Sequence, residues 1–488
     1  ASRSGGGSAN FAQLEPEPDH VDVWSMLTRG VHNQSNHARS RRSDSSARSR
    51  RSNEPLLWAA ITFNEEPKTY PEAIARKHDG DKWHAATYEE LNQWFVLKVY
   101  EVVDEPEDEE IIEARTVYKV KLDEFNNPYR WKCRIVARGF QESDPGETFA
   151  PMAHPTTIRT IIAIACANGW MIKQADIKTA YLNAKLPKPI YMRPPVGLEA
   201  GKGKVWKIHR ATYGLGAAGR LWWQLFAKKN KEFGMEPVTT DDCAFICRRS
   251  DKVLVIAIVV DDILQTGNSE ELRLEWLNFM REFFTVSDDG ELRWYLGVRF
   301  DKTEDGYHAV QTPYIDKLRQ KFGLEQAYDK DVPMDPNFSL DESDIPTAEE
   351  ADPKDVKIFR ELVGSLGWVV TWTRSDCAFS VNYLARFLLR PNRRLINTAK
   401  QVIRYLASSR DSGIHFRRRK PSDPLDDMLQ VYADTSDADC KLTSRSTGGF
   451  IVFINGAAVS WKSGRLPLVT LSSAESEYVQ ITMACQEI

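Results

Sequence analysis

An unbroken apolar run of eight residues, Val253-Leu254-Val255-Ile256-Ala257-Ile258-Val259-Val260, stops at two adjacent acids, Asp261 and Asp262, and resumes as Ile263-Leu264. A run this short, rich in β-branched residues and without a polar face, reads as a buried strand. The acid pair then falls at the tip of a hairpin whose two arms are hydrophobic. Neighbouring carboxylates held at such a tip repel one another unless a cation neutralises them, and hard oxygen donors suit Mg²⁺. Taken alone, an Asp-Asp pair is more often a solvated turn than a metal site.

A second acid stands in a different context. Trp170-Met171-Ile172-Lys173-Gln174-Ala175 leads into Asp176, followed by Ile177-Lys178-Thr179-Ala180-Tyr181. Two metal ions roughly 4 Å apart need bridging carboxylates from separate strands, because one loop cannot wrap both and leave room for phosphates. Asp176 on one strand and Asp261-Asp262 on a hairpin meet that requirement, which is that of a phosphoryl-transfer enzyme. After Pro155, the spacing of Ile158, Ile161, Ile162 and Ala165 predicts a core helix beneath the Asp176 strand. Read as a strand, Arg130 to Arg138 sets Lys132, Arg134 and Arg138 on one face and Cys133, Ile135 and Ala137 on the other. Three cations on one face suit an anion; an exposed basic edge strand is the plainer alternative.

Composition bounds these readings. With 488 residues, 42% of them hydrophobic, the chain has room for three or more domains of roughly 150 residues with sizeable cores. Its 65 basic and 69 acidic residues leave a net charge of −4, which argues against a general nucleic-acid binder. Charge is unevenly spread: Glu101 to Glu113 and Asp341 to Asp352 are acidic, while Arg386 to Lys420 is basic and could track a phosphate backbone or form a solvated helix face. Residues 1–54, rich in Ser, Gly, Asn and Arg, cannot bury a core and read as a disordered linker, with folding expected from about Pro55. The seven scattered cysteines suggest neither a disulfide framework nor a zinc site; Cys243 and Cys247 have no second pair of ligands near them in sequence. A reducing compartment is the expected setting. No stretch approaches the ~20 apolar residues that span a bilayer, and no signal peptide is visible. The chain opens on Ala1 rather than Met and reads as a piece of something longer.

From about Thr116 to Phe416 the sequence resembles the reverse transcriptase of copia-type LTR retrotransposon Pol polyproteins. The matching segments occur in order: Arg130-Trp131-Lys132-Cys133-Arg134-Ile135-Val136-Ala137-Arg138-Gly139-Phe140, then Glu147-Thr148-Phe149-Ala150-Pro151, Asp176 to Asn183, Ile190-Tyr191-Met192, Tyr213-Gly214-Leu215, Asp261-Asp262, Tyr295-Leu296-Gly297, Leu362-Val363-Gly364-Ser365-Leu366, and Arg374 to Arg386. Trp83 to Glu90 resembles the helical lead-in to the fingers. Further on, Val431 to Asp439, Ser444 to Phe450, Ser460 to Ser463 and Ser472 to Tyr478 resemble the family's ribonuclease H.

The resemblance implies an α+β right-hand polymerase with an antiparallel palm sheet, fingers and palm over residues 55–310, a thumb and connection over 311–425, and the beginning of a ribonuclease H-like α/β domain over 426–488. It implies RNA-directed DNA polymerisation, with Asp176, Asp261 and Asp262 holding two Mg²⁺ ions, for which Mn²⁺ can substitute. Lys132, Arg134 and Arg138 would face the triphosphate, and Tyr181 the sugar 2′ position. The partners are an RNA template, a primer strand, an RNA/DNA hybrid and deoxynucleotide triphosphates, in a cytoplasmic virus-like particle and the nucleus; the oligomeric state is left open. Asp434 and Glu477 would be the strand aspartate and helix glutamate of the ribonuclease H. The sequence stops at Ile488, before the segments that supply that fold's remaining aspartates, so no RNA cleavage is expected.

Two departures from the family pattern bear on activity. Val259 stands where an aromatic is usual, two residues before the acid pair. Gly216-Ala217-Ala218-Gly219 stands where Lys-Gln-Ala-Pro is usual, removing a polar side chain at Ala217 and, by the added glycines, loosening the turn. A catalytically decayed fragment that binds nucleic acid, or a purely structural polyprotein segment, is therefore the alternative.

Overall fold

The computed structural model describes residues 66–122, 128–199, 201–347, 349–420, 422–423 and 428–487. The expected linker at 1–54 and the expected start of folding near Pro55 lie outside them. The fold is mixed α/β, and its centre is an antiparallel six-stranded sheet in the order Gly290–Glu291, Met171–Asp176, Asp262–Gly267, Lys252–Val259, Asp241–Arg249, Glu236–Val238. Helices Pro155–Asn168, Ala218–Phe233 and Glu270–Arg281 pack on it. The hairpin read from the apolar run is present, and the helix read after Pro155 buries Ile158, Ile162 and Ala165 against this core. Its ends follow local chemistry: His154 accepts from Thr156 N, Pro155 occupies the first turn where no N–H is needed, and Gly169 closes the helix at φ +66°. Cys243, Phe245 and Cys247 share the buried face of one strand, which accounts for the close cysteine pair.

A second sheet, five-stranded, runs Tyr100–Asp104, Lys204–Arg210, Lys185–Arg193, Ile111–Leu122, Pro128–Ala137, with the third and fourth strands parallel. Helix Gly80–Val96 lies along its outer strand Pro128–Ala137. Helices Thr312–Lys321, Pro353–Trp372, Ala378–Ala385 and Arg393–Ser408 form a unit with its own core of Phe359, Leu362, Leu366, Leu395, Val402 and Leu406. The chain leaves for this unit from strand Gly306–Val310 and returns through its antiparallel neighbour Ile414–Arg417, where His308 and His415 stack 3.9 Å apart. Among the described residues no helix is long and apolar enough to cross a membrane.

The last unit is a sheet of Leu429–Ser436, Thr447–Ile454 and Ala457–Arg465 with helix Ser473–Glu487. It does not stand apart, because Phe450, Val452, Val459 and Ala484 belong to the same apolar cluster as the central sheet. Arg159 joins the pieces. Its side chain, 6% exposed, donates to Val459 O at 2.7 Å and Thr371 O at 2.5 Å and lies over the Trp461 ring at 4.1 Å. Trp461 in turn donates to Val370 O at 3.0 Å. Leaving buried carbonyls unpaired costs on the order of 1–3 kcal/mol each. Arg159→Met, which keeps the volume and removes the donors, is expected to cost about 2 kcal/mol. Hydrogen exchange should then quicken in strands Thr447–Ile454 and Ala457–Arg465 and stay slow in Met171–Asp176.

Candidate active site

Strands Lys252–Val259 and Asp262–Gly267 pair with Val259 opposite Asp262, so Val260 and Asp261 alone make the turn. Val260 sits at φ +60°, a conformation that a β-branched residue adopts only under strain and that two-residue hairpins ordinarily give to glycine. Two hydrogen bonds hold it. Trp222 Nε1 donates to Val260 O at 2.6 Å, and Asp261 O accepts from Ile177 N at 3.0 Å. The tip is thereby tied to helix Ala218–Phe233 and to the chain just past Asp176. Strain retained in this way is characteristic of functional sites.

Asp176 lies directly opposite Asp262 in the antiparallel register. Ser287 fixes its backbone: Ser287 Oγ accepts from Asp176 N at 3.1 Å, and Ser287 N donates to Asp176 O at 2.9 Å. All three acids are partly buried. Burial, then Asp261 and Asp289, hold the Asp176 carboxyl above its ordinary range. Burial, then Asp261, Asp176 and Asp289, push Asp262 up to about 6. Lys121 acts against both shifts, and Lys132 against that of Asp176. This is the electrostatic state of a like-charged cluster that a cation would relieve. The donor set, oxygen only, fits a hard divalent ion, although among the described residues no three His, Cys, Asp or Glu side chains are closed around one point as they stand.

The cations come from the neighbouring sheet. Strand Pro128–Ala137 buries Cys133, Ile135 and Ala137 and turns Lys132 and Arg134 the other way, as its period requires. Arg138 lies just past the strand, where its N–H donates to Glu113 O at 2.7 Å and its guanidinium pairs with the Glu113 carboxylate. The same-face cations are therefore Lys132 and Arg134, with Arg138 engaged by Glu113 instead. Burial, then Arg134, Lys121 and Arg130, lower the Lys132 pKa, and Asp261 raises it. Arg134 lies over the Tyr213 ring at 5.2 Å, and Tyr213 meets Tyr181 edge-on at 5.2 Å.

Tyr181 sits in the short turn Ala180–Asn183, entered through Thr179 at φ +53°. It borders a solvent-open cavity of about 80 Å³ walled by Pro151, Met152, Trp222, Trp223 and Val260. The glycines nearby are not loose. A Cβ on Gly216 would meet Pro145 and Thr148 at 2.9 Å, and one on Gly219 would meet Ala150 at 3.0 Å; Gly216 N also donates to Glu142 Oε1 at 3.1 Å. The expected loosening is thus replaced by close packing. Ala217 precedes helix Ala218–Phe233 with no side-chain cap, and Val259 packs partly buried on the central core.

Asp434 lies in strand Leu429–Ser436 and Glu477 in helix Ser473–Glu487. Their neighbours Thr435 and Ser476 share a hydrogen bond of 2.8 Å between hydroxyls, which binds helix to strand beside the two acids. Much of the basic segment is occupied within the fold: Arg394 pairs with Asp344, Arg410 with Asp316, Arg417 with Asp423, and Arg404 donates to Tyr328 O. Sequence reading missed Lys121, Asp289, Ser287 and Trp222. Of these only Lys121 carried a signal, its place in the outward series Arg115, Val117, Lys119, Lys121 of a period-two strand.

Residues 97–336 match the family model for reverse transcriptase (RNA-dependent DNA polymerase). Over 438 residues the chain is 28% identical to the retrovirus-related Pol polyprotein from transposon RE1 of Arabidopsis thaliana, covering 88% of this chain and 29% of that protein. It is likewise 28% identical over 440 residues to the Pol polyprotein from transposon TNT 1-94 of Nicotiana tabacum, covering 88% and 33%. The chain spans about a third of the length of these curated relatives. Among solved structures, a foamy viral protease-reverse transcriptase in complex with double-stranded DNA aligns over 83% of this chain and 60% of its own, with a TM-score of 0.47 and 12% identity.

The strained tip makes a direct test. Val259→Gly is expected to cost about 2 kcal/mol through lost apolar contact and added freedom of the unfolded chain. At Val260 the same loss is offset by release of roughly 1–2 kcal/mol of left-handed strain. Val260→Gly should therefore unfold in urea close to the unaltered midpoint; a midpoint as low as that of Val259→Gly would mean that the turn is unstrained.

Proposed function

We propose that this chain, whose residues 97–336 match the family model for reverse transcriptase, is an RNA-directed DNA polymerase of a copia-type retrotransposon, copying element RNA into cDNA. One observation carries the reading: Asp176 faces Asp262 across the central sheet beside Asp261, with Lys121 and Lys132 in electrostatic reach of the cluster. In this reading the central sheet is the palm, the five-stranded sheet the fingers, the helical unit the thumb, and residues 429–487 the start of a ribonuclease H domain.

Asp176, Asp261 and Asp262 would hold two Mg²⁺ ions, with Mn²⁺ as a substitute. When bound, such ions lower the pKa of a primer 3′-hydroxyl and stabilise the pyrophosphate that leaves. The chain's own groups do the positioning. Lys132 and Arg134, with Lys121, meet the triphosphate of an incoming deoxynucleotide as fixed cations that need no reorganisation during transfer. Tyr181, braced by the Tyr213 ring, would stand against the sugar and exclude a 2′-hydroxyl. Trp222 keeps the hairpin tip in place under the primer end. The nucleic-acid partners are an RNA template, a primer and the RNA/DNA hybrid they form. Asp434 and Glu477 would be the strand aspartate and helix glutamate of the ribonuclease H.

The test is incorporation of dTTP on poly(rA)/oligo(dT) with Mg²⁺. Asp176→Asn, Asp261→Asn and Asp262→Asn are each expected to lower the rate by about 10³-fold, as lost stabilisation of a transferring phosphate commonly does, while template binding persists. Incorporation that survives all three substitutions overturns the assignment. An unaltered protein that binds template and incorporates nothing identifies a binding protein descended from a polymerase. Tyr181→Ala is expected to improve use of ribonucleotides relative to deoxynucleotides by about tenfold, read from the two kcat/KM values.

A further inference from the structure

Strand Pro128–Ala137, which carries Lys132 and Arg134, is the outermost of its sheet. One side of such a strand presents N–H groups that no neighbouring strand receives. Here they are received by groups from elsewhere. Ile135 N donates to Glu90 Oε1 at 3.3 Å, and Ala137 N donates to Tyr213 O at 2.8 Å. Glu90 is 6% exposed, on helix Gly80–Val96, and the same oxygen accepts from Trp94 Nε1 at 3.1 Å. Next to it, exposed Glu89 takes the Arg130 guanidinium at 2.8 Å. The helix therefore grips the strand at both ends of its cationic stretch.

A buried acid is rare without a partner. Glu90 has Lys132 and Arg134 within electrostatic reach, and Tyr213 beneath Arg134 senses it too. Arg134 Nε is buried with no hydrogen-bond partner and the guanidinium lies over the Tyr213 ring at 5.2 Å, so its place depends in part on the backbone it hangs from. That backbone position is set by the next residue's N–H, the one that Glu90 receives.

We propose that Glu90 is the positioning residue for the triphosphate-binding cations: by closing the free edge at Ile135 it fixes where Lys132 and Arg134 stand before a nucleotide arrives. The proposal rests on the polymerase reading and extends it to a residue of the lead-in helix, outside the sheets.

Glu90→Gln retains an acceptor for both N–H groups, and Glu90→Ala retains none. Binding of inorganic tripolyphosphate by calorimetry, and KM and kcat for dTTP on poly(rA)/oligo(dT), separate the roles. Glu90→Ala is expected to weaken tripolyphosphate binding and raise KM by about tenfold, the factor matching one unpaired buried donor, with kcat changed by no more than about twofold. Glu90→Gln should stay within about threefold on every measure. Should the alanine variant not fold, Glu90→Met keeps the volume without the acceptor. Unchanged tripolyphosphate affinity in the alanine or methionine variant, an unaltered protein that does not bind tripolyphosphate, or a fall in kcat with KM unmoved overturns the proposal. Absent incorporation by a protein that binds tripolyphosphate as described overturns the polymerase reading and leaves the role of Glu90 decided by the titration.

Discussion

Asp176 and Asp262 face one another only because two antiparallel strands meet in one register, and side chains alternate along a strand with a period of two. A slip of one residue would turn Asp262 to the far side and present Ile263 in its place. In most sheets an alternation of apolar and polar residues fixes the register. Lys252–Val259 and Asp262–Gly267 lack it, being buried at their centres on both faces. What fixes them instead is at the tip: the two-residue turn through Val260, the Trp222 bond to Val260 O and the Ile177 bond to Asp261 O. The strain at Val260 and the placement of the carboxylates are thus one arrangement.

Availability of charge separates the cationic regions more sharply than its amount. The helix Arg393–Ser408 and the strand after it are rich in arginine, yet Arg394, Arg410 and Arg417 are matched with Asp344, Asp316 and Asp423, and Arg404 is spent on a backbone carbonyl. Lys132 has Asp261 in electrostatic reach, both Lys132 and Arg134 have Glu90, and Arg134 lies over the Tyr213 ring. Burial, then repulsion from Arg134, Lys121 and Arg130, depresses the Lys132 pKa, the counterpart of the burial and then repulsion that raise Asp262. Two self-repelling groups of opposite sign are thus carried on different sheets within electrostatic reach of one another.

Local pattern revealed what depends on local pattern. The hairpin, the helix at Ile158–Ala165 and the inward face of Cys133, Ile135 and Ala137 follow from periodicity that any window of the sequence displays. The same rule, carried one residue too far, assigned Arg138 to a strand that ends at Ala137, before Gly139. Gly216 and Gly219 were misread because their meaning lies in Pro145, Thr148 and Ala150, a long way off in sequence. Asp288-Asp289 looks like a solvated turn, yet Asp288 pairs with buried Arg273 and Asp289 adds to the field on Asp262. Glu90 looks like one of many helix acids until the edge strand it covers is known.

The acid cluster also sets a limit on stability. A carboxyl whose folded pKa is raised, as Asp262's is from 3.8 to about 6, binds its proton more tightly in the folded chain than in the unfolded one. Between those two values the folded state holds the extra proton, so stability falls as pH rises through the interval and the loss is complete above about pH 6. At neutral pH the cluster therefore works against the sheet that carries it. The opposition is met by the apolar arms behind it, where Leu254, Ile256, Ala257, Ile263 and Leu264 are completely buried, and by the hydrogen bonds at the tip. The unbroken apolar run ahead of Asp261 is the sequence feature that supplies much of this burial.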